Sequence, residues 1–157
     1  MRLYILFSLL LLAVLCSSRV DARKVKFGNL CSGNPSNSKR KCDKHGCGHY
    51  GASRGGRKHQ GLDIVCADGA TVYAPFDVKL IRRSVPYTNN NAINDGIMLT
   101  GEGLCFKLFY VKPDRYYGTL RKGQRIGTML PMQRVYPHIT SHVHVQMLEV
   151  LPQKLET

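Results

Sequence analysis

An all-β domain built on antiparallel sheet is predicted, on three observations. From about Leu62 onward the chain is a series of short runs rich in β-branched and aromatic residues. Turn signals such as Asp68-Gly69, Asp95-Gly96 and Gly101-Glu102-Gly103 separate those runs. After residue 22, no stretch repeats its apolar residues at helical spacing.

The first element is not part of that domain. Met1-Arg2 opens with a positive charge, Leu3 to Leu15 is almost wholly apolar, and Val20-Asp21-Ala22 closes with small residues. These are the three parts of a secretory signal peptide, cleaved after Ala22, with Ser18 as a competing position. The apolar run falls short of the roughly 20 residues a membrane-spanning helix needs. The expectation is therefore a leader at 1–22, no transmembrane segment, and a single secreted domain at 23–157.

Charge narrows the partners. The 157 residues carry 23 Lys and Arg against 10 Asp and Glu, a formal net charge of +13. Such an excess favours acidic partners. Secretion argues against nucleic acid and leaves sulfated glycans and cell surfaces. Arg23, Lys24 and Lys26, then Lys39-Arg40-Lys41, then Arg121-Lys122 and Arg125 are the basic clusters, and a merely solvated face explains them equally well.

Residues 23–58 are basic and glycine-rich, with few apolar runs, and read as a loop segment tied down by disulfides. With Cys16 set aside in the leader, Cys31, Cys42, Cys47, Cys66 and Cys105 remain, an odd number in an oxidising compartment. Cys42 and Cys47 are close enough to close a small ring, and Gly46 eases the turn. Cys31 then most simply joins Cys66, one of three connectivities for four cysteines. Cys105 is left unpaired, either buried in a strand as a small hydrophobe or open to an intermolecular bond. A zinc knuckle of Cys42, His45, Cys47 and His49 is disfavoured, because secreted cysteines usually oxidise.

The strands follow. Leu62 to Val65, Ala70 to Ala74, Val78 to Ile81, Ile97 to Thr100, Leu104 to Val111 and His142 to Val150 are the β-like runs. Ile97 to Val111 reads as a hairpin folded at Gly101-Glu102-Gly103, and residues 85–95 read as a long polar loop.

Two short segments carry the chemistry, His59-Gln60-Gly61-Leu62-Asp63 and His142-Val143-His144. Side chains alternate faces along a strand. His59 and Asp63 share a face if the strand extends back to His59, and His142 shares one with His144. Bringing these faces together offers imidazoles and a carboxylate around one point, a donor set that suits zinc with an open fourth position. A histidine paired with a nearby carboxylate gives the same spacing without a metal. His45, His49 and His138 show no such pattern and read as loop histidines.

The motif His59-x-x-x-Asp63, followed far downstream by His142-x-His144, resembles the lysostaphin-type zinc metallopeptidases, which cleave cell-wall peptides. Val72-Tyr73-Ala74-Pro75 and Lys122-Gly123-Gln124-Arg125-Ile126-Gly127 resemble segments between that family's motifs. More closely, Cys42 through Gly48, His59 through Asp63, and Val135-Tyr136-Pro137 through Ser141-His142-Val143-His144 resemble the leukocyte cell-derived chemotaxin-2 family, from about Asn29 to Val145. That family is a secreted, zinc-binding, disulfide-stapled relative of those peptidases, with chemotactic and signalling roles.

The resemblance implies a lysostaphin-type fold and a zinc held by His59, Asp63 and His144. It implies that His142 stands beside the metal without ligating it. The peptidases supply a further histidine from a Tyr-x-His segment, and Tyr110-Val111-Lys112 puts Lys112 in its place. A lysine is protonated at neutral pH and is no base unless strongly desolvated. Mammalian chemotaxins place a cysteine shortly after the His-x-His pair, where this chain reads Val145-Gln146-Met147-Leu148. The implied function is a non-enzymatic signal acting on leukocytes through a cell-surface receptor. An active zinc endopeptidase and an antibacterial binder of cell-wall peptide are the alternatives.

Overall fold

The computed structural model describes residues 25–148, so the expected leader lies outside the described residues. The strands are β1 (Ser53–Arg54), β2 (Arg57–Lys58), β3 (Leu62–Val65), β4 (Thr71–Tyr73), β5 (Val78–Arg83) and β6 (Gly96–Gly101). They continue with β7 (Leu104–Phe109), β8 (Val111–Pro113), β9 (Gly118–Leu120), β10 (Arg125–Met129) and β11 (His142–Met147). A short 3-10 turn at Met132–Arg134 is the one helical element among the described residues. The all-β expectation holds.

Every strand pairing is antiparallel. A six-stranded sheet runs in the order β3-β11-β7-β6-β5-β9, a three-stranded sheet in the order β4-β10-β8, and β1-β2 is a small hairpin. The β6-β7 hairpin forms where expected. Gly101 pairs Leu104, and the two loop residues Glu102 and Gly103 have φ of 51° and 73°. Positive φ at both positions is the turn whose twist matches that of the flanking strands.

Alternation along the strands separates two faces of the six-stranded sheet. Leu104, Phe106 and Leu108 of β7 enter the core, as do Val78 and Leu80 of β5 and Val143 and Val145 of β11. Val72 of β4, Val111 of β8, and Ile126 and Met129 of β10 close the core from the three-stranded sheet. His142 and His144 alternate with Val143 and Val145, so they stand on the face turned away from this core.

Four expectations change. The run from Leu104 to Val111 is two strands, not one. Tyr110 has φ of 70°, a left-handed conformation rare for a bulky residue, and it turns the chain from β7 into β8 of the other sheet. Strand β10 was not legible in the sequence, because Gly127 interrupts its pattern. That glycine is required by close packing, since a Cβ there would lie 2.1 Å from the Lys112 carbonyl oxygen.

Residues 23–58 are also more integrated than expected. Leu30 and Cys31 are core residues, Cys31 bridges Val72, and Lys39 bridges Ile64. The backbone of Leu30 and Ser32 bonds along β4, which gives the segment the partners it lacks by itself. The disulfides Cys31–Cys66 and Cys42–Cys47 form as expected.

Cys105, expected to be unpaired, is instead disulfide-bonded.

Candidate metal centre

The site is built where β11 pairs β3. His144 lies directly opposite Asp63, and His142 opposite Val65. Cross-strand register therefore brings His144 against Asp63 and His142 diagonally beside it. His59 arrives by another route than expected. Strand β3 begins at Leu62, and His59 is held by the end of the β1-β2 hairpin, where its N–H donates to the Ala52 carbonyl at 2.8 Å. Gly61 makes the link between hairpin and β3 possible. A Cβ there would lie 2.5 Å from the His144 ring and from the Val145 carbonyl oxygen.

These elements bring one ligand atom each from His59, Asp63 and His144 within 4.8 Å of one another. The triangle is tight. His59 Nε2 is 3.2 Å and His144 Nδ1 is 3.0 Å from Asp63 Oδ1, and the two nitrogens are 3.0 Å apart. A tetrahedral ion with bonds near 2.0–2.1 Å spaces its ligand atoms about 3.3 Å apart, so this donor set fits zinc with little adjustment. The group can hold a metal ion.

Surrounding contacts fix the ligands. His59 Nδ1 donates to the His49 carbonyl at 2.8 Å, and because a carbonyl only accepts, Nε2 keeps its lone pair for the site. Asp63 Oδ2 accepts from Arg40 Nη1 at 3.0 Å, leaving Oδ1 to His59 and His144. Phe109 stacks on the His144 ring, with centroids 5.7 Å apart. His142 donates from Nδ1 to the Thr140 carbonyl at 2.7 Å and directs Nε2 at Asp63 Oδ2, 3.4 Å away. It stands beside the three-atom cluster and outside it.

Burial governs the ionisation here. Desolvation pushes His59 and His142 below the usual imidazole range, against the opposing pull of the Asp63 carboxylate. For Asp63, burial alone raises the carboxyl, yet the His144 hydrogen bond and the His142 and His59 rings hold it below the usual value. Neutral imidazoles beside an ionised carboxylate are the protonation states a divalent cation needs.

A cavity of about 370 Å³ opens over the cluster, and its lining includes the basic Arg54, Arg57 and Lys58 and the phenols Tyr87, Tyr110 and Tyr136. The three phenols form a chain, with Tyr87 Oη 3.4 Å from Tyr110 Oη and 3.2 Å from Tyr136 Oη. Lys112, expected near the metal, is exposed on β8, paired with Thr128 and outside the residues lining this cavity. Because the turn at Tyr110 redirects the chain, Tyr110 itself forms that wall, its ring edge-on to His142 at 5.6 Å.

Sequence reasoning missed Arg40. It sits between Lys39 and Lys41 in a basic triplet, and nothing local distinguishes it. Yet it is 3% exposed, whereas both neighbours face solvent. The phenol chain was missed for the same reason, since its members come from three distant segments.

The chain is 48% identical over 139 residues to leukocyte cell-derived chemotaxin-2 of Mus musculus, covering 88% of this chain and 90% of that relative. It belongs to the leukocyte cell-derived chemotaxin-2 family. The Bos taurus chemotaxin-2 is 51% identical over 117 residues, 74% of this chain and 78% of the relative. Myeloid protein 1 of Gallus gallus is 53% identical over 120 residues, 74% of this chain but 37% of that longer relative. No family model matches the sequence. Among solved structures, Csd3 of Helicobacter pylori aligns with 76% of this chain and 30% of its own, at 14% identity and a TM-score of 0.48.

Proposed function

We propose that this protein is a secreted, zinc-binding chemotactic signal that acts on leukocytes through a cell-surface receptor, on a peptidase-like fold without peptidase activity. Its 1–22 segment serves as the signal peptide, and 23–157 is the mature domain. The relation to chemotaxin-2, which runs through most of both chains, carries this reading. The His59, Asp63 and His144 cluster supports zinc within it, because three potential ligand atoms converge in a largely buried place. Zinc would supply Lewis acidity and an ordered tie between β3, β11 and the β1-β2 hairpin.

The residues that face the cluster support the absence of turnover. Hydrolysis needs groups that move protons beside the metal. His142 is one such group, and the group beside it in the cavity wall is a phenol, Tyr110, in place of a second imidazole. Burial raises the Tyr110 hydroxyl further, which makes it a poor base.

One purified sample tests the reading. The expected results are one zinc per chain by elemental analysis, concentration-dependent leukocyte migration, and no cleavage of a pentaglycine peptide above background. Zinc-dependent cleavage abolished by His142→Ala would instead make the protein an endopeptidase.

A further inference from the structure

The Cys42–Cys47 ring has no donor atom in the metal cluster, yet through one carboxylate it reaches a cluster member, Asp63, and the neighbouring His142. The first route runs through Arg40. Its Nη2 donates to Asp43 Oδ1 at 2.8 Å and to the Gly46 carbonyl at 3.0 Å, and its Nε donates to Asp43 Oδ2 at 3.2 Å. The remaining arm, Nη1, reaches Asp63 Oδ2 at 3.0 Å. The second route runs through Thr140. Its N–H donates to Asp43 Oδ2 at 3.1 Å, and its carbonyl holds His142 Nδ1 at 2.7 Å. Asp43 is itself fixed, accepting from the His45 N–H at 2.8 Å and paired through its backbone with Gly46 across the ring.

The geometry has a consequence for Asp63. A guanidinium presents a planar fork that matches a carboxylate two-for-two. Here that fork is spent on Asp43, and Asp63 receives from Arg40 a single N–H on Oδ2, an oxygen that Arg54 Nη2 approaches only to 3.8 Å. Its Oδ1 is therefore left to face His59 and His144. If Asp43 no longer holds the fork, the buried Arg40 is free to engage both oxygens of Asp63 and draw Oδ1 out of the ligand triangle. Buried guanidinium groups keep partners, so this rearrangement is the available one. Asp43 is kept charged for the role. Against the upward push of burial, the Arg40 hydrogen bond and the Thr140 and His45 N–H groups lower its carboxyl to about 2.

We propose that Asp43, held in place by the Cys42–Cys47 bond, is a positioning residue that sets how tightly the His59, Asp63 and His144 cluster binds its metal. The inference rests on the zinc reading above and adds the residue that governs affinity. It also gives the ring a purpose besides global stability, since its few residues restrict the unfolded chain less than the longer Cys31–Cys66 loop does.

The test is zinc affinity of the full secreted protein, measured by competition with a chromophoric chelator, alongside the melting temperature of the metal-free protein. Asp43→Asn is expected to weaken zinc binding roughly 10–100-fold, as loss of an orienting partner does at other metal sites. The melting temperature of the metal-free protein should move little, which a merely structural role does not allow. In an Arg40→Gln background the same Asp43→Asn change should have little further effect, because the route to Asp63 is already gone. Cys42→Ser/Cys47→Ser, which keeps Asp43 but releases it, should weaken zinc in the same direction and serves if Asp43→Asn does not fold. Affinities within twofold of the unaltered protein in both variants would overturn the proposal. No zinc binding by the unaltered protein would refute the zinc reading first, and this inference with it.

Discussion

The two faces of the six-stranded sheet are made by the same strands and obey different rules. Along β11, Val143 and Val145 enter the core while His144 enters the candidate metal cluster and His142 stands beside it. The core face is held by summed apolar contact, in which each side chain contributes separately and no partner is unique. The site face is a closed set of pairings, in which every buried polar atom has a hydrogen-bond partner among the described residues. Stability should therefore fail gradually with the first face, and metal binding all at once with the second.

The strongest way to break this comparison is to delete one large side chain on each face. Phe106, fully buried in the core and edge-on to Phe27 and Phe76, should cost about 3–5 kcal/mol as Phe106→Ala. Denaturant unfolding measures the loss, and zinc stoichiometry of the folded protein should stay unchanged. His144→Ala should instead abolish zinc binding, whereas His142→Ala should largely keep it. Equal metal loss in the two histidine variants would show that the cluster has been assigned to the wrong atoms.

The disulfides sharpen the same contrast. Cys31–Cys66 spans 35 residues and ties the core-forming Leu30 segment onto β3 and β4. Loop-closure entropy puts its removal near ~4 kcal/mol, against ~2 kcal/mol for the Cys42–Cys47 ring of sequence separation 5. Thermal unfolding of the two double-serine variants should show that ranking, with the smaller effect belonging to the ring.

Acidification should loosen the site face before the core. Burial lowers His59 and His142 below the ordinary 6.5, so below that pH the unfolded chain takes up protons that the folded one refuses. Their contribution is thus intact above 6.5 and is lost as pH falls from there toward the folded values. Asp63, also lowered, adds a second loss below 3.8. Unfolding free energy of the metal-free protein, followed from pH 8 down to about 4, should decline most steeply below about 6.5, and His142→Phe should flatten part of that slope. The smallest effect is expected at Lys112, which is exposed and outside the cavity. Lys112→His should change neither zinc affinity nor cleavage, and a gain of cleavage would mean that β8 turns its side chain inward.

Much was legible without the structure, and for a local reason. A β-strand exposes its period of two directly in the sequence, so Leu62–Val65 and Val78 to Ile81 stand out, as does the hairpin at Gly101-Glu102-Gly103. The parity of His142 and His144 follows from the same rule, and the ring of Cys42 and Cys47 from mere proximity. What only the tertiary structure decided depends on partners distant along the chain. His59 reaches the cluster from the β1-β2 hairpin, Gly127 is dictated by the backbone of β8, and Tyr110 takes a left-handed conformation to change sheets. Arg40 is the clearest case. Its neighbours Lys39 and Lys41 have the same charge and stay in water. Arg40 alone is buried, because carboxylates 3 and 23 residues away compensate its desolvation from two sides.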